Sequence, residues 1–189
     1  MAYSQIYLGT ATTLSGLSLT NSTALIVDRG NQTIIGALDR SAAVSTCDII
    51  WGKASTVTFK GTSGDATGRN TLVVVAGGSY TTERGVSGTY NQGGGTAVFS
   101  RSDSSGALPT ASGATMNIFG GTMKWRGKNI GTLNVYGGTV DFSEAPQDLT
   151  VTTLNITRTS RDASTFKSKF STVTVTTTNV RGAEADVTY

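Results

Sequence analysis

The stretches MNIFGGTMKW (116–125) and LNVYGGTVDF (133–142) are nearly the same phrase written twice, 17 residues apart. Asn117/Asn134, Gly120/Gly137, Gly121/Gly138 and Thr122/Thr139 are identical, and Met116/Leu133, Ile118/Val135, Phe119/Tyr136, Met123/Val140 and Trp125/Phe142 are conservative pairs. Only Lys124/Asp141 changes character. The pattern is a short strand, alternating in and out, followed by a turn.

The repeat continues in both directions. Gly94-Gly95-Thr96 leads to Phe99 as Gly120-Gly121-Thr122 leads to Trp125, and a weaker copy begins at Gly77-Gly78-Ser79-Tyr80. The Gly-Gly starts fall at 77, 94, 120 and 137, with one long interval that holds SRSDSSGALPTASGA (100–114). That Ser/Gly/Ala stretch reads as an inserted loop. Beyond Phe142 the glycines are lost, but Leu154-Asn155-Ile156 and then Val173-Thr174-Val175 echo Leu133-Asn134-Val135. Earlier, Val57-Thr58-Phe59 precedes Val73-Val74-Val75 by 16 residues, and residues 48–51 read as one rung further back.

Short strands recurring every 17–21 residues, without helical periodicity, predict an all-β solenoid, a parallel β-helix. About ten strands fit this spacing, and an antiparallel β-sandwich of similar hairpins is the alternative. In a parallel stack, like residues lie about 4.8 Å apart, so Asn117, Asn134 and Asn155 would form an amide ladder. The paired glycines would supply positive φ at the corners. Phe99, Trp125 and Phe142, at one repeat position, read as an internal aromatic stack, or as a sugar platform if they face outward.

The repeat body spans residues 46–180. Residues 1–45 hold the apolar runs ALIVD (24–28) and TIIGAL (33–38) without the Gly-Gly signature. They read as a cap or docking arm, with DRGNQ (28–32) as a hairpin turn. Residues 181–189 form a polar tail.

Composition agrees with this fold class. Thr, Ser and Gly fill 77 of the 189 positions, and helix formers are sparse, which favours pleated strands and tight corners. Histidine is absent, which removes the commonest general base and metal ligand. The lone Cys47 rules out an internal disulfide and reads as a small buried hydrophobe. No cofactor or metal site is expected. A net charge of +3 is too mild to indicate nucleic-acid binding. No signal peptide and no apolar run of about 20 residues is visible, so synthesis in the cytoplasm and no membrane span are expected.

Glycosidic or lyase chemistry would need paired carboxylates. Asp141 and Glu144 are the closest pair in the repeat region, with Asp148 following, but Asp141 takes the place of Lys124 one turn on and reads as an exposed cross-strand ion pair. The Gly-rich run GVSGTYNQGGGT (85–96) lacks the helix a phosphate loop needs and reads as a loop or corner. Arg158, Arg161, Lys167 and Lys169 crowd a segment with one acid, Asp162, and are the candidate partner-binding residues.

The runs TMNIFGGTMKW, TLNVYGGTVDF and VTTLNITR resemble those of tailed-phage virion proteins: head decoration proteins, head fibres and tail-spike shafts. The resemblance covers roughly residues 56–180 and carries over no catalytic residue. It implies a non-enzymatic decoration or cement part on the virion surface, a homotrimer docked in many copies on the major capsid protein or another virion component. A host-glycan-binding spike is the first alternative, and a depolymerase using Asp141 or Glu144 the second.

Overall fold

In a computed structural model of the chain, the described residues are 4–8, 12–15, 23–27, 30–35, 47–50, 55–60, 70–82, 85–100, 108–145, 149–157, 164–167 and 174–181. Side chains are described from Ala76 onward, except at Ser87 and 164–167. These residues form strands and turns with no helix. One sheet stacks β1 (Ser4–Leu8), β3 (Thr23–Val27), β5 (Cys47–Ile50), β7 (Asn70–Val75), β9 (Val86–Gln92), β11 (Ala111–Ile118), β13 (Ile130–Val135), β15 (Thr150–Thr157) and β17 (Thr174–Arg181), in that order. The other stacks β2 (Thr12–Ser15), β4 (Gly30–Ile35), β6 (Ser55–Lys60), β8 (Ser79–Thr82), β10 (Thr96–Phe99), β12 (Thr122–Trp125), β14 (Gly138–Asp141) and β16 (Ser164–Lys167). Every neighbouring pair is parallel. The protein is therefore a β-solenoid, and the sandwich alternative is excluded because hairpins would pair antiparallel.

Each turn gives one strand to each sheet, so the repeat holds two strands rather than one, and seventeen are described where about ten were expected. The Gly-Gly pair is the corner between them. Gly78, Gly95, Gly121 and Gly138, the second glycine of each copy, have φ of 68°, 70°, 77° and 81°. A Cβ on Gly138 would lie 2.6 Å from the Gly121 carbonyl oxygen, and one on Gly121 would collide with Gly95 and Gly94. The next N–H along bonds to that same carbonyl: Thr96 to Gly78 at 2.9 Å, Thr122 to Gly95 at 2.9 Å and Thr139 to Gly121 at 2.8 Å.

Several sequence expectations change. Residues 28–32 do not make a hairpin: β3 and β4 belong to different sheets, and each pairs in parallel with strands of neighbouring turns. The strands of residues 1–45 thus take the N-terminal ends of the same two sheets. Val57–Phe59 and Val73–Val75 also lie in different sheets, and Asp48 to Ile50 pair with Val73 to Val75 directly. Residues 111–114, expected in the loop, open β11, while 101–107 lie outside the described residues. Val86–Gln92, read as loop, is strand β9.

The core is a set of columns running along the axis. Tyr80, Ala97, Met123 and Val140 align in one sheet; Tyr90, Met116, Leu133 and Leu154 align in the other, all buried. Phe99, Trp125 and Phe142 face inward as a stack, Phe99 and Trp125 with ring centroids 4.9 Å apart. Trp125 satisfies its indole by donating to the Lys128 carbonyl at 2.8 Å. Two polar residues, Thr82 and Gln92, enter this interior among the described side chains. Gln92, fully buried, accepts from the Tyr90 hydroxyl at 2.8 Å and donates to the carbonyls of Thr122 (3.0 Å) and Gly95 (3.3 Å).

Gly121→Ala is expected to lower stability by about 2 kcal/mol or more, from left-handed strain plus the backbone collision. Gly113→Ala, where a Cβ meets nothing within 4 Å, should stay within about 0.5 kcal/mol of the parent; urea midpoints compare the two. Burial, then the neighbouring Tyr80, pushes the Tyr90 hydroxyl pKa well above its ordinary value. The unfolded chain therefore loses that proton first, and stability falls as pH rises past about 10. Thermal melts across the alkaline range should show this slope, and Tyr90→Phe should flatten it.

Candidate functional site

The outward face of the nine-stranded sheet carries the most regular polar surface among the described residues. Five consecutive rungs place the triplet Thr-x-Asn in the same register: Thr89 to Asn91, Thr115 to Asn117, Thr132 to Asn134, Thr153 to Asn155 and Thr177 to Asn179. The middle residue points into the core in the first four and is Thr178 in the last. Alternation thus puts Thr and Asn on one face, about 6.6 Å apart along each strand and about 4.8 Å from rung to rung.

The asparagines form a continuous ladder. Each Nδ2 donates to the Oδ1 of the rung before it: Asn117 to Asn91 at 2.9 Å, Asn134 to Asn117 at 2.7 Å, Asn155 to Asn134 at 2.7 Å and Asn179 to Asn155 at 2.8 Å. The sequence had marked the middle three. Asn91 was hidden in the run read as loop. Asn179 was missed because Val173–Val175 was laid over Leu154–Ile156, whereas Leu154 pairs with Thr178 and Ile156 with Val180.

A third column lies beside the ladder, next to the glycine corner. It runs through Phe119, Tyr136, Thr157 and Arg181. Phe119 is 51% exposed, and its ring stacks on Tyr136 with centroids 4.9 Å apart and planes 7° from parallel. Among the described side chains the outward aromatics are therefore these two, and not Phe99, Trp125 and Phe142. Where the column passes from Tyr136 to the smaller Thr157, the surface sinks into a groove of about 360 Å³, lined by Asn134, Tyr136, Asn155, Thr157, Asn179 and Arg181.

The remaining expected site residues fall elsewhere. Gly77, Gly78, Gly94, Gly95, Gly120, Gly121, Gly137 and Gly138 build the corner, with Thr96, Thr122 and Thr139 starting the next strand or lying just inside it. Lys124 and Asp141 are register partners, as expected. Asp141 also accepts the Ser143 N–H at 2.9 Å, and Glu144 pairs with Arg126 at 2.6 Å. Both carboxylates weighed for catalysis thus hold local structure. Lys167 lies on β16 opposite Asp141 in the backbone register. Arg158, Arg161 and Lys169, with Asp148 and Asp162, lie outside the described residues.

Among the described residues no group of three His, Cys, Asp or Glu side chains gathers to hold a metal. No described helix is long and apolar enough to cross a membrane. No protein-family model matches the chain, and no curated protein or solved structure does so either.

Asn134→Ala removes one bond donated and one accepted within the ladder, and it should cost about 1–3 kcal/mol. Asn179→Ala, with one bond at the exposed end, should cost less. Asn134→Asp aims a carboxylate oxygen at the Asn117 Oδ1 that formerly accepted a hydrogen bond from the Asn134 amide. Its deficit in urea midpoint should shrink as pH falls through about 4, because the protonated acid regains a donor.

Proposed function

We propose that the protein is a non-enzymatic structural part of a tailed-phage virion, a capsid decoration or head-fibre element on the particle surface. The observation that supports this reading is the ladder. Polar groups on five successive rungs are engaged with one another, a use that hardens a rod and supplies no acid, base or nucleophile. The phrase-like repeats resembling virion proteins agree with it. A homotrimer suits a short solenoid, because side-by-side packing buries a face that each chain alone leaves wet. Many weak contacts on a repetitive shell then sum to firm attachment.

The expected result is saturable co-sedimentation of the purified protein with capsids prepared without it, and a trimeric mass by light scattering either in solution or after release from the shell. Capsids that leave the protein wholly in the supernatant would overturn the decoration reading. Incubation with polysaccharides should give no new reducing ends, and Asp141→Asn or Glu144→Gln should change nothing in that assay.

The spike reading keeps one observation in its favour. Its original aromatics are buried, but Phe119 and Tyr136 are outward and adjoin a groove.

A further inference from the structure

We propose that the groove beside the amide ladder binds an acidic polysaccharide, one sugar ring seated between the Tyr136 ring and the Arg181 side chain. The argument begins with the column Phe119, Tyr136, Thr157, Arg181. Parallel stacking sets its members about 4.8 Å apart, so Tyr136 and Arg181 are separated by about 9.6 Å with the small Thr157 between them. Two aromatic rings lie in register, and the third place in the stack is held by a side chain that leaves a ring-sized space. A pyranose presents an apolar C–H face to an aromatic ring and a rim of hydroxyls to its sides. That division matches this groove.

The side wall is the ladder. A primary amide has two donors and two lone pairs, and Asn134 and Asn155 each spend one of each on their neighbours. One donor and one acceptor per rung remain for a ligand. The amides are already fixed by their mutual bonds, so little side-chain entropy is lost on binding. Both amides line the single ring-sized space, so the hydroxyl rim of the seated sugar meets a donor and an acceptor on adjacent rungs, and the rest of the polymer leaves across the sheet.

The acidic class follows from charge. Arg181 lies at the end of the groove, and none of the described lining residues is a carboxylate. A guanidinium favours a planar carboxylate through paired N–H bonds, and the chain as a whole is positive, at +3. A nucleotide also offers a ring and an anion. It is disfavoured because the groove has a single aromatic wall and a long row of amides suited to hydroxyls.

This inference stands apart from where the protein is mounted; its failure would leave the virion reading intact, and the reverse also holds. The test is isothermal titration of the full chain with oligogalacturonate, maltohexaose and a short oligothymidylate. Oligogalacturonate is expected to bind, with Tyr136→Ala and Arg181→Gln each weakening it about tenfold or more. Lys124→Gln, on the other sheet, should leave it unchanged. Thr157→Trp should abolish binding by filling the space while extending the aromatic stack, and it covers the case in which Tyr136→Ala fails to fold. Absence of oligogalacturonate binding, equal loss with Lys124→Gln, indifference to Thr157→Trp, or tighter binding of maltohexaose or oligothymidylate would each overturn the proposal.

Discussion

Each Gly-Gly corner crosses from one sheet to the other on a glycine pressed against the carbonyl of the corresponding glycine one turn earlier. Gly95 sits on Gly78, Gly121 on Gly95 and Gly138 on Gly121, each with positive φ and no space for a Cβ. The N–H that follows bonds to the same carbonyl. The contact is steric and directional together, so it fixes the height and phase of the chain at once. Both strands of a turn leave from that point. Their register is inherited from it, which is why Thr lies over Thr and Asn over Asn on either side.

Once like lies over like, the consequence of any residue choice is multiplied along the axis. Inward positions become columns of Tyr, Met, Leu and Trp that exclude water. An outward asparagine, which alone would be solvated, becomes one member of a bonded ladder. Each amide bond contributes only about 1 kcal/mol net, so the ladder's larger effect is on specificity. A slip of one residue would break every amide bond and turn the core columns outward in the same step. Gln92 adds a third restraint from inside. It takes an otherwise aliphatic place and ties the Tyr90 hydroxyl to the carbonyls of Gly95 and Thr122 at the next corners. Leaving that hydroxyl buried without a partner would cost more than the bond itself contributes.

The sequence made some of this readable and concealed the rest for identifiable reasons. Gly-Gly-Thr is dense and rigid in its demands, so the corner, the parallel stacking, the inward aromatics and three ladder members could all be read from it. Asn91 could not, because Gly88 and Gly93–Gly95 around it look like loop when no partner strand is in view. Asn179 could not, because similarity of apolar residues at an offset of 19 competes with the true offset of 24, and only the pairing of Val151 with Val175 decides it. The supposed hairpin at 28–32 failed for a related reason. A turn-forming sequence marks a change of direction, but it does not say whether the next strand returns beside the last or crosses to another sheet. The groove was invisible for the simplest reason: Tyr136 and Arg181 are far apart in the chain and meet only through two rungs of unequal length.

That inequality bears on where recognition can reside. The glycine corners are short and alike, running from Gln92 to Thr96, Ile118 to Thr122 and Val135 to Gly138. The opposite crossings differ, from Phe99 to Ala111, Trp125 to Ile130 and Asp141 to Thr150. Over these three turns one edge of the solenoid therefore has fixed geometry, and the other absorbs insertions without disturbing the register. A binding surface at the variable edge would change shape with every insertion and lose entropy on ordering its loops. Phe119 and Tyr136 instead stand directly before the fixed corner, with their backbones held by bonds to the Gln92 and Ile118 carbonyls at 2.8 Å. Side chains placed there keep their spacing whatever the loops do. A ligand held between two rungs would need walls at a fixed separation, and the stacked rungs of the nine-stranded sheet supply that separation.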